Sequence, residues 1–273
     1  MRGIESRFVE IEGMRTHYLE GGRGRGLPVV LLHSGEFGAN AELSWEFTLP
    51  ALAEHFHVVA PDWLGFGESA KLFSFEDMRG LRVRHITAFL KTLGIEEAHF
   101  IGNSMGGGML AAVAAMDEPC WRIARMILAS SGGFAPVNEA RKLLNSYDGT
   151  REHMRRILQT VLIHSPLRKD EAYLEKRHRL SLVPGSWECT AAARFRRPGM
   201  KSGEKEEIDY RKIKRPTLIV AGAQDPLREP GYGERLQQEI AGSELVVFED
   251  AGHFPHIDWP ERFNRIAIDF LSR

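Results

Sequence analysis

The stretch His99-Phe100-Ile101-Gly102-Asn103-Ser104-Met105-Gly106-Gly107-Gly108 constrains the fold more than any other part of the chain. A short apolar segment of strand type, Ala98 to Ile101, runs into Gly102-Asn103-Ser104-Met105-Gly106, which fits the pattern G-x-S-x-G. Met109 to Met116 follows and reads as a buried helix. A strand that turns sharply into a helix through a serine between glycines is the context of a nucleophile elbow. The turn holds the serine in a strained conformation, and glycines on either side let strand and helix approach. The competing reading is a glycine-rich turn without chemistry.

The alternation around this elbow sets the architecture. Arg7 to Ile11 and Arg15 to Leu19, joined by Glu12-Gly13-Met14, read as a β-hairpin. The glycine-rich run Gly21 to Gly26 fits neither a Walker pattern nor a dinucleotide fingerprint and reads as a solvated loop. Pro28 to Leu32 is apolar on consecutive positions, as in a strand buried on both faces of a parallel sheet. A helix is expected around Leu43 to His55, a strand at Val58 to Ala60, and a helix over Phe75 to Leu93 closed by Gly94. After the elbow come a strand at Arg125 to Ala129, then Thr217 to Ala221, a helix near Gly231 to Ile240, a strand at Glu244 to Phe248 and a final helix from Pro260 to Leu271. Strand and helix in strict alternation predict an α/β fold with a parallel sheet flanked by helices.

Between Phe134 and Lys214 the alternation stops, and residues rich in Arg, Lys and Glu at helical spacing are interrupted by Pro166, Pro184, Gly185 and Pro198. This predicts a helical insertion. The expected division is residues 1–133 as the first part of a core, 134–214 as a helical lid and 215–273 as the second part of the core. A chain of 273 residues fits one α/β domain of this kind.

Composition narrows the function. A formal net charge of -1 carries no nucleic-acid footprint, and the basic cluster Arg194, Arg196 and Arg197 reads as local surface charge. Cys120 and Cys189 fit no metal or redox spacing. Met1 to Glu12 has no apolar core of a signal peptide, and no apolar run reaches the length of a membrane span. The expectation is a cytoplasmic protein acting on a small molecule, with no metal, no membrane and no nucleic acid; a homo-oligomer is compatible with the sequence.

A serine hydroxyl is a weak nucleophile and needs a base, itself oriented by a carboxylate. In open α/β sheets such groups gather on loops at the carboxyl ends of strands. Asp225 stands just beyond the strand Thr217 to Ala221, and His253 just beyond the strand ending at Phe248. The order Ser104, Asp225, His253 is the one expected for a G-x-S-x-G elbow. Asp250, three residues before the histidine, reads as a loop cap. Negative charge developing on a substrate oxygen calls for backbone N–H donors. Met105 supplies one, and the loop after Leu32 the other, from Gly35 with Glu36 as the alternative. His33 in that loop is expected to hold its shape.

Across nearly its whole length the chain resembles the α/β-hydrolase superfamily. The resemblance implies a mostly parallel eight-stranded sheet flanked by helices, with the lid inserted after the sixth strand. Within the superfamily, Gly102 to Gly107, Gly35 to Trp45 with Gly38-Ala39-Asn40, and Asp62 to Gly67 look most like the meta-cleavage product hydrolases, which split a C–C bond in ring-fission products of aromatic catabolism. That resemblance implies a cofactor-free hydrolase in which Asn103 and a lid arginine, matched here by Arg177 with Arg179 close by, bind a dienoate. Phe254 beside the histidine and the lid residues Trp187, Phe195, Leu182 and Val183 are expected to face the pocket. Carboxylesterase or lactonase activity is the alternative with the same residues, and a non-catalytic small-molecule receptor is the alternative of another class.

Overall fold

The computed structural model describes residues 3–193, 195 and 208–273. The chain opens with β1 (Ile4–Ile11) and β2 (Met14–Gly21), paired antiparallel and turning at Glu12 and Gly13. Then follow β3 (Val29–Leu32), the short helices α1 (Ala41–Trp45) and α2 (Thr48–Ala53), β4 (Val58–Pro61) and α3 (Met78–Thr92). β5 (Glu97–Asn103) runs into α4 (Met105–Ala114), and β6 (Arg122–Ala129) completes the first six strands. Four helices come next: α5 (Glu139–Asn145), α6 (Arg151–Val161), α7 (Glu171–Ser181) and α8 (Ser186–Ala192). The chain re-enters the sheet with β7 (Thr217–Gly222), α9 (Tyr232–Glu239), β8 (Glu244–Phe248), α10 (Pro255–Asp258) and α11 (Pro260–Leu271). The basic cluster Arg194, Arg196 and Arg197 and the breaker Pro198 lie outside the described residues.

The strands form one eight-stranded sheet in the order β1-β2-β4-β3-β5-β6-β7-β8, parallel from β4 onward. β3, β4 and β7 are buried at every residue, which is why their sequences are apolar without alternation. One core lies on each side of the sheet: Phe89, Phe100, Leu110 and Trp121 on one, Trp45, Leu49, Phe263 and Phe270 on the other. A third cluster joins the inserted helices to the loops above the sheet through Met154, Ile157, Leu158 and Val161 of α6, with Phe37, Leu227 and Phe254. Spacing of three and four residues gives α6 this single apolar face. Each such side chain contributes about 1.5–3 kcal/mol by leaving water.

Two expected helices differ in detail. The helix expected over Leu43 to His55 is two pieces, broken at Glu46 and Phe47. The helix expected from Phe75 begins at Met78, because the Asp77 carboxylate accepts from Gly80 N at 2.7 Å and caps it there.

At the elbow Ser104 has φ +51° and ψ −111°, a conformation that L-residues rarely adopt. A Cβ on Gly106 would stand 2.1 Å from the carbonyl oxygen of Leu32, so only glycine lets α4 start this close to β3.

Candidate active site

Ser104, Asp225 and His253 meet above the carboxyl ends of β5, β7 and β8. Ser104 Oγ lies 2.8 Å from His253 Nε2, and His253 Nδ1 lies 2.8 Å from Asp225 Oδ2 and 3.0 Å from Oδ1. A carboxylate can only accept, so Nδ1 carries the proton and Nε2 accepts from the serine hydroxyl. Burial works to raise the Asp225 carboxyl, but His253, Arg228 and the Leu227 N–H outweigh it and hold it below the usual carboxylate range. Leu227 N donates to Asp225 Oδ1 at 2.8 Å, which fixes the loop beyond β7. The group can therefore relay a proton from the serine while the acid holds the imidazole tautomer.

The loop from His33 to Asn40 runs beside this line. His33 is fully buried, donates from Nδ1 to Ser34 O at 2.6 Å, and accepts from Trp63 N on Nε2 at 3.1 Å. Burial lowers its pKa, so the ring is neutral and holds the loop's shape. Met105 opens α4, and its N–H has no helical carbonyl to bond. Its side chain packs on the loop, with Sδ 2.5 Å from where a Cβ on Gly35 would stand, and it accepts from Arg82 Nη1 at 3.1 Å. Gly35 stands in this loop against the Met105 side chain, directly before Glu36.

The residues expected to bind substrate are each held by contacts within the protein. Asn103 is buried, and its amide donates to Ala129 O at 3.1 Å and His253 O at 3.4 Å, bracing the histidine loop from below. Its Oδ1 has no hydrogen-bond partner among the described residues. Arg177 sits on α7 and is 2% exposed, so it is neither a solvated lid residue nor an unpaired cation. Its guanidinium is bonded to the Glu36 carboxylate and lies 3.5 Å from Tyr173 Oη. Burial opposes both charges, yet each holds the other: Arg177 is shifted upward by Glu36, and Glu36 downward by Arg177 and the Ser34 hydroxyl. Phe254 is buried, edge-on to the His253 ring at 5.1 Å and beneath Arg177 at 5.9 Å.

Trp187 is 37% exposed and stacks on Phe37 at 6.2 Å. With Phe73, Phe75 and Phe195 it lines a surface groove of about 430 Å³. Leu182 and Val183, just after α7, and Phe195, after α8, are likewise solvent-exposed.

Two further carboxylates hold the site in shape: Asp258 carried no sequence signal, and Asp62 entered the sequence reading only as part of the stretch Asp62 to Gly67. Asp258, five positions after the histidine, accepts from Ile163 N, His164 N and Ser165 N at 2.8–3.1 Å on Oδ1, and from Gly252 N at 2.8 Å on Oδ2. It therefore ties the end of α6 to the loop that carries His253, which itself donates its N–H to Val161 O at 3.0 Å. Asp62 knots the neighbouring loop, accepting from Ala41 N, Glu68 N and His17 Nδ1 at 2.7–2.8 Å. Only the number of donors converging on each carboxylate in space marks this bracing role.

Residues 28–260 match the family described as alpha/beta hydrolase fold. The chain is 31% identical, over 98% of its length and 91% of the relative's, to the 2-hydroxy-6-oxo-6-(2'-aminophenyl)hexa-2,4-dienoic acid hydrolase of Metapseudomonas resinovorans. It is 32% identical to the 2-hydroxymuconate semialdehyde hydrolase of Pseudomonas sp. (strain CF600), over 97% of this chain and 93% of that one. The solved meta-cleavage product hydrolase from Pseudomonas fluorescens IP01 superposes with a TM-score of 0.84 at 28% identity, covering 97% of both chains. With the sheet order, the elbow and these likenesses together, the chain belongs to the alpha/beta hydrolase family, alongside the meta-cleavage product hydrolases within it.

Proposed function

We propose that the protein is a serine-dependent hydrolase that cleaves the C–C bond of a 2-hydroxy-6-oxo-dienoate, a ring-fission product of aromatic catabolism, without a cofactor and in the cytoplasm. The observation that carries the hydrolase reading is the unbroken line from Ser104 Oγ through His253 to the Asp225 carboxylate. The substrate class rests on the near full-length likeness to hydrolases named for such dienoates.

In this reading the substrate is first ketonised: the proton of its 2-hydroxyl is lost and C5 gains one, with His253 assisting. Ser104 Oγ then adds to C6 as its own proton passes to His253 Nε2. The resulting oxyanion faces the N–H groups of Gly35 and Met105. Its collapse breaks the C5–C6 bond. The electron pair withdraws through C4 and C3 to the C2 oxygen, which takes the proton from His253 and leaves as a 2-hydroxydienoate. Water activated by the same histidine then releases the acid from Ser104. Residues 134–214 act as the lid, and Phe254 and Asn103 shape the floor.

Ester or lactone hydrolysis is the second reading, favoured by one observation: Glu36 already neutralises Arg177, so this guanidinium offers no net charge to an anionic substrate. Steady-state turnover of 2-hydroxy-6-oxo-6-phenylhexa-2,4-dienoate against p-nitrophenyl acetate separates the two. Cleavage of the ester with no turnover of the dienoate would reject the C–C reading. Ser104→Ala is expected to reduce hydrolysis of either substrate by at least about 10³-fold; a near-wild-type rate would reject the nucleophile itself.

A further inference from the structure

The loop that holds Gly35 is fastened to the inserted segment at each of the three residues that follow it. Glu36 is paired with Arg177 of α7, and Ser34 Oγ donates to Glu36 Oε1 at 2.8 Å, so the two neighbours of Gly35 are tied to each other across it. Phe37 packs on Tyr147 at 4.7 Å and on Trp187. Gly38 has φ +73°, and a Cβ there would stand 2.3 Å from the carbonyl oxygen of Arg177, so loop and α7 meet backbone to backbone. Glu42, just beyond, is paired with Lys176 at 2.7 Å. Arg177 and Glu36 are the charged pair of this row whose side chains are buried, and charges held out of water in mutual contact fix geometry strongly once both are present.

We propose that Arg177 and Glu36 are positioning residues: the pair is a strut between α7 and the loop that sets the Gly35 N–H against the developing oxyanion, and it is not a subsite for a substrate carboxylate. The inference rests on the reading of Ser104 as nucleophile and Gly35 as oxyanion donor, and it concerns every acyl substrate, charged or neutral. Loss of one such donor costs about 10²–10³ in kcat in a serine hydrolase, so a displaced donor should cost a substantial part of that.

The test is the kinetics of Arg177→Met, Glu36→Gln and the double variant on neutral p-nitrophenyl acetate and on the anionic 2-hydroxy-6-oxo-6-phenylhexa-2,4-dienoate, with folding checked by circular dichroism. R177M is expected to lower kcat by about 10- to 100-fold on both substrates alike, with KM for the dienoate changed less than about threefold. Removing both charges takes away the unpaired buried carboxylate, so E36Q/R177M is expected to recover about tenfold over R177M. An R177M enzyme with unchanged kcat on the ester and a KM for the dienoate raised tenfold or more would overturn the strut and make Arg177 an anchor. If R177M does not fold, E36Q decides: a fall in kcat on the ester supports the strut, whereas unchanged ester turnover with tighter dienoate binding overturns it. Should the wild-type enzyme leave the dienoate untouched, the substrate reading falls, and the ester arm alone still supports or overturns the strut.

Discussion

Single residues around Ser104 each have one task that their surroundings enforce. His253 can accept the serine proton because Asp225 holds its other nitrogen as a donor, 2.8 Å away. Asp225→Asn would keep the shape but reverse the hydrogen-bond sense and leave the wrong tautomer facing Ser104. The expected result is a fall in kcat on p-nitrophenyl acetate by about 10³–10⁴-fold with KM little changed. Asn103 shows the opposite lesson: one position from the nucleophile in sequence, it spends its amide on the backbone of β6 and of the histidine loop. Nearness along the chain does not by itself leave a side chain's donors free for a ligand, because backbone carbonyls that the fold brings near can take them first.

At the scale of elements, the histidine loop is held from two sides. α10 supplies Asp258, and α6 ends where that carboxylate gathers three successive N–H groups. These donors end a helix and open a turn, and they would otherwise be buried without partners. Asp258→Ala is expected to destabilise the protein by about 3 kcal/mol, since several buried N–H groups lose their acceptor at about 1–3 kcal/mol each and water restores part of this. Urea unfolding measures the loss. Because Gly252 is one of the donors, kcat is expected to fall as well, by about tenfold in the fraction that remains folded. A variant with wild-type stability and activity would show that the inserted helices do not brace the histidine. The strut between α7 and the oxyanion loop works in the same way from the other side, so the helices after β6 hold both halves of the chemistry.

For the whole molecule, the cost of closing helices onto the sheet appears in its titration. Glu46, at the break between α1 and α2, has its pKa pushed up to about 7 by burial, with Lys176 of α7 opposing and Glu42 reinforcing the rise. A carboxyl whose pKa is higher folded than unfolded favours the folded state at low pH. Its ionisation therefore costs stability progressively from the ordinary value of 4.5 up to about 7, and the full cost stands above that. Glu46→Gln removes this ionisation. The variant is expected to match the parent near pH 4.5 and to be more stable by about 1 kcal/mol at pH 8, after allowance for solvent screening at a partly exposed group. Thermal unfolding across that pH range checks the sign. Equal stability at both ends would mean that Glu46 is solvated in the folded chain.

What the sequence determined by itself is whatever depends on local order. The unbroken apolar runs of β3 and β7, the alternation of strand with helix and the glycine-flanked Ser104 all follow from constraints among neighbours. Asp225 and His253 were legible because a parallel sheet carries the ends of its strands to one edge, so being next after a strand already assigns a place. Helix starts were less legible, since caps such as Asp77 act through a single side chain. The tertiary structure alone decided the pairing of Arg177 with Glu36, which are 141 positions apart, and the convergence on Asp258 of groups more than 90 positions away. Nothing in local composition distinguishes a lid arginine that reaches a substrate from one that reaches a loop. The difference lies in which carboxylate the folded chain brings within bonding distance, because a buried charge takes whatever partner the packing supplies.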